Sequence, residues 1–132
     1  MPKILWALSI HYYIKIMTQI KSFTSLEQSK KLAEILLLES ADMHYHYDFD
    51  FDELESIPTI TEEDDHFVLF PKDVRCWSLA ALLGILPNYE INNFGDGIQL
   101  AVNNKALATE CDETLLDLVV NMIIYLHEFN LL

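Results

Sequence analysis

The chain has 132 residues, a formal net charge of −13 and an apolar share of 52%. This length suits one domain with one hydrophobic core, and the apolar share excludes a chain that is disordered throughout. Eight Lys and Arg residues stand against 21 Asp and Glu residues, too few to neutralise the phosphates of a nucleic acid or an anionic membrane. We therefore expect neither direct nucleic-acid binding nor membrane binding.

The first residues, MPKILWALSIHYYIKI, are apolar and contain two Lys residues and no acid. The apolar run from Ile4 to Ile10 is far shorter than the ~20 residues of a membrane span, and no small-residue cleavage site follows it. Three interpretations stay open: an extension before a natural start at Met17, a strand or helix that packs on the domain, and a targeting segment. We expect the first, with an extension at 1–16 and a single domain at 17–132.

A helix is predicted in FTSLEQSKKLAEILLLES, residues 23–40, where Thr24 and Glu27 form a capping-box pattern. The next stretch, HYHYDFDFDELE at 44–55, alternates polar and aromatic residues, which predicts a strand with one buried face. Residues 53–65 contain a proline and two acid clusters and favour an exposed hairpin loop, and HFVLFP at 66–71 predicts a buried strand. The predicted buried face of the first strand holds Tyr45, Tyr47, Phe49 and Phe51, and its wet face holds His44, His46, Asp48, Asp50 and Asp52.

Asp73 is predicted to cap a helix that runs through CWSLAALLGIL and ends before the next proline. YEINNFGDGIQLAVNN then predicts two strands around a turn rich in Asn and Gly. The terminal helix, from about Glu110 to Phe129 with Thr109 or Asp112 as its cap, has an apolar face that covers more than half its circumference. The order α-β-β-α-β-β-α predicts an α+β fold with three helices packed on a small, mostly antiparallel sheet.

Three blocks of the chain, SFTSLEQSKKLAEILLLESADM, CWSLAALLGILP and MIIYLHEFNLL, resemble a family of small, acidic, uncharacterised proteins encoded in gut-bacterial genomes and their mobile elements. The similarity spans Met17 to Leu132 and supports Met17 as the natural start. In that family the second block often carries a Pro before its Cys-Trp pair, whereas this chain has Arg75, so the helix start is less fixed here. The resemblance implies an origin on mobile elements and implies no activity.

Two cysteines, Cys76 and Cys111, allow at most one disulfide, and neither belongs to a C-x-x-C pair. This usage is typical of a reducing cytoplasm and predicts a cytoplasmic protein with thiols in its core. A helix dipole near Cys76 would favour its thiolate, but the adjacent Trp77 and the apolar residues after it favour a packed thiol over a nucleophile. The chain has no glycine-rich phosphate loop, and we expect no chemistry of its own.

His44 and His46 suggest a metal site. They lie on one side of the predicted strand, ~6.5 Å apart, so two imidazoles can converge on one divalent transition metal such as zinc. Sequence spacing identifies no third ligand, and the solvated face of a strand is the alternative interpretation. The D-x-D-x-D pattern of residues 48–52 begins like a calcium loop, but Glu53 and Thr59 occupy the positions that such a loop gives to Gly and Glu.

An acidic belt runs between Glu39 and Asp65, with eleven Asp or Glu residues and no Lys or Arg. The charges either maintain solubility and protect a sheet edge, or imitate phosphates and occupy the basic groove of a nucleic-acid-binding protein. The mobile-element resemblance favours the second role, that of an inhibitor with a basic protein as its partner. The predicted contact residues are Asp48, Asp50, Asp52, Glu53, Glu55, Glu62, Glu63, Asp64 and Asp65.

Two other functions stay open at this stage. One is a metal-binding protein or metal-dependent enzyme centred on His44 and His46. The other is a structural protein that forms a homo-oligomer through the broad apolar face of the terminal helix. Metal analysis of untagged protein tests the first, and light scattering at high concentration tests the second.

Overall fold

The computed structural model describes residues 21–61, 72–110 and 112–132. Three α-helices and small antiparallel sheets make up these ranges, which confirms the predicted α+β class. The strands pair in three separate sheets instead of one. The N-terminal extension, the strand predicted at 66–71 and Cys111 all lie outside the described residues.

The elements follow one another in alternating groups of helices and strands. The helices are α1 (Leu26–Ala33), α2 (Leu79–Ile85) and α3 (Leu115–Glu128), with a 3₁₀ turn at Leu38–Ser40. The strands are β1 (Met43–Tyr45), β2 (Tyr47–Asp48), β3 (Glu53–Leu54), β4 (Thr59–Ile60), β5 (Val74–Cys76), β6 (Tyr89–Asn93), β7 (Ile98–Val102) and β8 (Lys105–Ala108). Strand β1 lies between β4 and β5, strands β2 and β3 form a hairpin, and β7 lies between β6 and β8.

Helix α1 begins one residue later than predicted. Ser25, not Thr24, is the N-cap, and its hydroxyl accepts a hydrogen bond from the Gln28 N–H at 3.1 Å. The Gln28 side chain accepts in return from the Ser25 N–H at 3.0 Å, which completes the capping box. A capping box is therefore present, but at Ser25 and Gln28 in place of Thr24 and Glu27. The Thr24 side chain is buried in the core.

Helices α2 and α3 also begin after the predicted caps. Ser78 caps α2, because the residues between Asp73 and Ser78 form strand β5 against β1. Thr114 caps α3 through a reciprocal pair with Asp117, so neither Thr109 nor Asp112 is the cap. In both cases a Ser or Thr hydroxyl at the N-cap accepts from a backbone N–H three residues on.

The predicted aromatic strand is in fact two strands and a turn. Tyr45 and Tyr47 are buried as predicted, but Phe49 and Phe51 are 61% and 75% exposed, so the predicted four-residue buried face is wrong. The chain reverses here because Asp52 adopts a left-handed backbone with φ 52°. The Asp50 N–H also donates a hydrogen bond to the Asp48 carboxylate at 2.9 Å, which closes the turn.

The sheet of β6, β7 and β8 contains the two strands predicted from YEINNFGDGIQLAVNN and a third strand. Gly95, at φ 87°, reverses the chain between β6 and β7. Asn103, at φ 54°, reverses it again, and β8 then pairs with β7 from Lys105 onward. The pair Asn103-Asn104 is the sequence signal for this second hairpin.

Helix α3 lies at the centre of the core. It packs against α1, α2, β7 and β8, and its apolar residues fill the space between them. Of the two placements predicted for this helix, the core placement is therefore the one observed, and its use in self-association stays a prediction. Its buried residues are Leu116, Leu118, Val119, Val120, Met122, Ile123 and Leu126.

A small buried polar cluster joins α1 to the junction of β5 and α2. The Thr24 N–H donates to the Trp77 carbonyl at 2.9 Å, and the Thr24 hydroxyl accepts from the Trp77 N–H at 3.1 Å. The same hydroxyl lies 2.8 Å from that of Ser29, and the Tyr45 hydroxyl donates to the Thr24 carbonyl at 2.8 Å. Since Thr24, Ser29 and Trp77 are fully buried, these bonds replace water that the groups lose on folding.

We predict that Thr24→Val lowers the free energy of unfolding by about 1–3 kcal/mol, because the buried Trp77 N–H loses its acceptor. Valine keeps the shape of the side chain, so the loss reports on the hydroxyl. Urea denaturation followed by tryptophan fluorescence measures it. The control is Thr59→Val on exposed β4, and equal losses in the two variants would contradict the assigned role of the Thr24 hydroxyl.

Asp117 joins the first turn of α3 to the N-terminal part of the domain. Its carboxylate accepts from the Lys21 ammonium and from the Gln28 amide, both at 2.8 Å. Burial raises the pKa of Asp117, but the hydrogen bonds from Lys21, the Thr114 backbone and Gln28 outweigh burial and lower it to about 2. The ionised carboxylate therefore stabilises the folded state.

The lowered pKa of Asp117 predicts a pH dependence of stability. The contribution of the carboxylate is present above the unfolded pKa of about 3.9 and is lost as pH falls toward about 2. The free energy of unfolding of the wild type should exceed that of Asp117→Asn by about 1–2 kcal/mol at neutral pH, after allowance for solvent screening. This difference should shrink as the pH falls toward 2. Denaturation at several pH values tests this, with exposed Asp96→Asn as the control that should show no such trend.

Candidate functional site

Strand pairing explains why His46 and Asp73 meet. Strand β1 runs antiparallel to β5 with Tyr45 opposite Val74 and His44 opposite Arg75. One step further along this register brings His46 opposite Asp73, just outside the regular pairs. His44 lies two residues before His46, so both imidazoles project from the same face.

The three side chains form a compact cluster of metal-ligating groups. One ligand atom from each of His44, His46 and Asp73 can be chosen so that all three lie within 4.8 Å of one another. His46 Nδ1 is 3.3 Å from Asp73 Oδ1, and the two imidazole rings lie edge to face with centroids 6.5 Å apart. We refer to these residues as the His-His-Asp cluster.

Neighbouring groups orient the cluster. His44 Nδ1 lies 2.7 Å from the Thr61 hydroxyl, and Asp73 Oδ1 accepts the Tyr47 N–H at 2.8 Å. The Asp73 side chain is only 2% exposed, whereas that of His46 is 38% exposed. The cluster is therefore anchored on the carboxylate side and open to solvent on the imidazole side.

A second candidate surface starts beside the cluster. We call residues 47–55 the acidic hairpin; it contains β2, the turn and β3, and the Glu55 N–H donates to the His46 carbonyl at 2.9 Å. Its turn exposes Phe49 and Phe51 among the side chains of five acids. Those acids are Asp48, Asp50, Asp52, Glu53 and Glu55; Asp48 is half-buried and the other four are exposed.

The structure brings together only part of the predicted acidic contact surface. Five of the predicted acids lie together on the acidic hairpin. The other four, Glu62, Glu63, Asp64 and Asp65, lie outside the described residues. A cation lies at the base of the hairpin, where the Lys72 ammonium is 4.5 Å from the centre of the Tyr47 ring.

Two features of the candidate sites differ from the sequence-based predictions. Asp73 was predicted as a helix cap, and only the pairing of β1 with β5 shows it to be a neighbour of His46. Phe49 and Phe51 were predicted to be core residues, and their exposure follows from the turn at residues 49–52. The aspartates spaced along the hairpin were the available signal for that turn.

Cys76 is a buried thiol on β5. Its side chain is inaccessible and hydrogen-bonds with the Thr24 hydroxyl and carbonyl, both at 3.4 Å. Burial raises the pKa of Cys76 more than these hydrogen bonds lower it. The protonated, inaccessible thiol agrees with the predicted core role and not with that of a nucleophile.

We predict that Cys76 resists alkylation while the protein is folded. In a Cys111→Ala variant, iodoacetamide at pH 8 should modify Cys76 at least ~100-fold more slowly in native protein than in urea, because modification requires local opening. Mass spectrometry over a time course measures both rates. Similar rates in the two states would show that the thiol is accessible in the folded protein.

Comparison with known proteins gives no assignment. No family model matches the chain, and neither the curated proteins nor the solved structures contain a match. Across residues 21–61, 72–110 and 112–132, every helix is too short or too polar to cross a lipid bilayer.

Proposed function

We propose that the chain is a protein-binding domain that contacts a basic partner through the acidic hairpin and has no chemistry of its own. The observation that carries this proposal is the exposure of Phe49 and Phe51 within a group of carboxylates. These two rings supply apolar anchors, and the surrounding acids supply charge complementarity. The described carboxylates of the hairpin are a subset of the acidic belt predicted from the sequence.

The exposed phenylalanines favour binding over solubility as the role of the hairpin. Carboxylates alone would serve solubility, but a surface selected for solubility carries few exposed large apolar side chains. Phe49 and Phe51 are 61% and 75% exposed, although the Phe49 ring still meets the Tyr47 ring at 5.0 Å between centroids. Burial of each phenylalanine against a partner would contribute about 1.5–3 kcal/mol, before the costs of association.

Charge determines the class of partner. The hairpin acids lie in a sequence window without Lys or Arg, and Lys72 is held against the Tyr47 ring at the base of the hairpin. A basic surface would therefore be attracted over the full length of the hairpin tip, which raises the association rate. Proteins with basic grooves for nucleic acid have such surfaces, and the mobile-element resemblance supports an inhibitor of one of them.

Capture from a gut-bacterial lysate, followed by affinity measurement on the captured protein, tests the proposal. We expect the affinity to weaken at least ~10-fold between low and high salt, because mobile ions screen exposed charges. We also expect it to weaken at least ~10-fold in the double variant Phe49→Ser, Phe51→Ser. Calorimetry or surface plasmon resonance at several salt concentrations provides both numbers.

Matched variants distinguish the hairpin from general acidity. For the phenylalanines, the control is the pair Phe94→Ser and Phe129→Ser, which are 65% and 58% exposed outside the hairpin. For charge, neutralisation of the five hairpin acids is compared with neutralisation of five exposed acids elsewhere. Equal effects of hairpin and control variants, or an affinity independent of salt, would contradict the proposal. The control acids are Glu27, Glu34, Glu90, Asp96 and Glu128.

A further inference from the structure

We infer that His44, His46 and Asp73 form a binding site for one divalent transition metal ion, with zinc as the best match. This site is separate from the proposed protein-binding surface and does not depend on it. Imidazole nitrogens and a carboxylate oxygen are ligands that zinc accepts together, and three protein ligands leave one tetrahedral position for water or another ligand. Calcium fits less well, because it prefers six or more oxygen ligands.

The distances within the His-His-Asp cluster suit a small tetrahedral ion. Zinc bonds of about 2.0–2.1 Å to nitrogen and oxygen place neighbouring ligand atoms about 3.3–3.4 Å apart in a tetrahedron. His46 Nδ1 and Asp73 Oδ1 are already 3.3 Å apart. All three ligand atoms lie within 4.8 Å of one another, so a small rotation of the half-exposed His44 imidazole would bring its ligand atom to the same distance.

The groups around the cluster provide the support that metal ligands have in proteins. When His44 Nδ1–H donates to the Thr61 hydroxyl at 2.7 Å, the lone pair of His44 lies on Nε2, where an ion would bind. The Tyr47 N–H donates to Asp73 Oδ1 at 2.8 Å and holds this carboxylate in place. These contacts come from the Tyr47 backbone on β2 and from the Thr61 side chain after β4, so neighbouring groups already orient two of the three ligands.

The cluster has a rival interpretation that involves no metal. A protonated His46 would form an ion pair with the Asp73 carboxylate at the same 3.3 Å distance and would stabilise the base of the acidic hairpin. That arrangement requires only two of the three residues, whereas His44 converges on the same point. The effect of replacing His44 on metal affinity separates the two interpretations, because only the metal site requires His44 as well as His46.

Titration of untagged, metal-free protein with Co²⁺, whose visible absorption reports coordination, tests the site, and competition with Zn²⁺ gives the zinc affinity. We expect one ion per chain and an affinity at least ~10-fold weaker in both His44→Gln and His46→Gln. Asp73→Asn should weaken binding similarly, since the amide oxygen still accepts the Tyr47 N–H but the charge is lost. The control variants are His127→Gln on α3 and Asp50→Asn at the hairpin tip, both at exposed positions.

Circular dichroism checks that each variant folds. If Asp73→Asn does not fold, the His44→Gln and His46→Gln variants decide the outcome, because both side chains are half-exposed. No cobalt or zinc binding by the wild type, or unchanged stoichiometry and affinity in both histidine variants, would overturn the proposal. Loss of binding on neutralising Asp50 alone would place the ion on the hairpin tip and would also overturn it. These outcomes leave the salt dependence of partner binding unaffected, so the two proposals fail separately.

Discussion

The two hydrogen bonds exchanged between Thr24 and Trp77 help to position β5, and with it the Asp73 side of the His-His-Asp cluster. They hold the start of α1 against the junction of β5 and α2, with distances of 2.9 and 3.1 Å. Strand β5 in turn pairs with β1, and Asp73 directly precedes β5. The position of the Asp73 carboxylate beside His46 therefore depends on buried contacts made at the other end of β5.

The polar groups at this anchor are tolerated because they satisfy one another. The hydroxyls of Thr24, Ser29 and Tyr45 and the thiol of Cys76 form a continuous set of hydrogen bonds within the core. In a low-dielectric interior such a set is favourable only when it is complete, and it then permits one arrangement of the chain. Apolar packing around α3 provides most of the burial, and the polar set fixes how α1 meets β5.

The fold class could be predicted because local patterns fix it: helical periodicity, strand alternation and turn residues each act within a few positions. Helix starts were less predictable, since several residues able to cap precede each helix. Thr24 and Ser25 have similar capping propensity, and hydrogen bonds with Trp77 and Tyr45, which are distant in sequence, hold Thr24 in the core. The segment after Asp73 became a strand because β1 was available to pair with it, which no local pattern shows.

The same distinction applies to the candidate sites. His44 and His46 could be predicted as a pair because strand alternation is local, whereas Asp73 required the register of two strands distant in sequence. The period-2 rule placed Phe49 and Phe51 in the core and failed, because it assumes an unbroken strand. The aspartates between them favour turns, and that local preference prevailed over alternation.

The hairpin geometry also bears on how this sequence can change through evolution. Residues 48–55 contribute no side chain to the core cluster of the described residues, so replacements there cost the fold little. Thr24, Ser29 and Trp77 each satisfy a buried neighbour and tolerate few replacements. Selection for folding therefore constrains the core more strongly than the hairpin, so the hairpin sequence can diverge with little loss of stability.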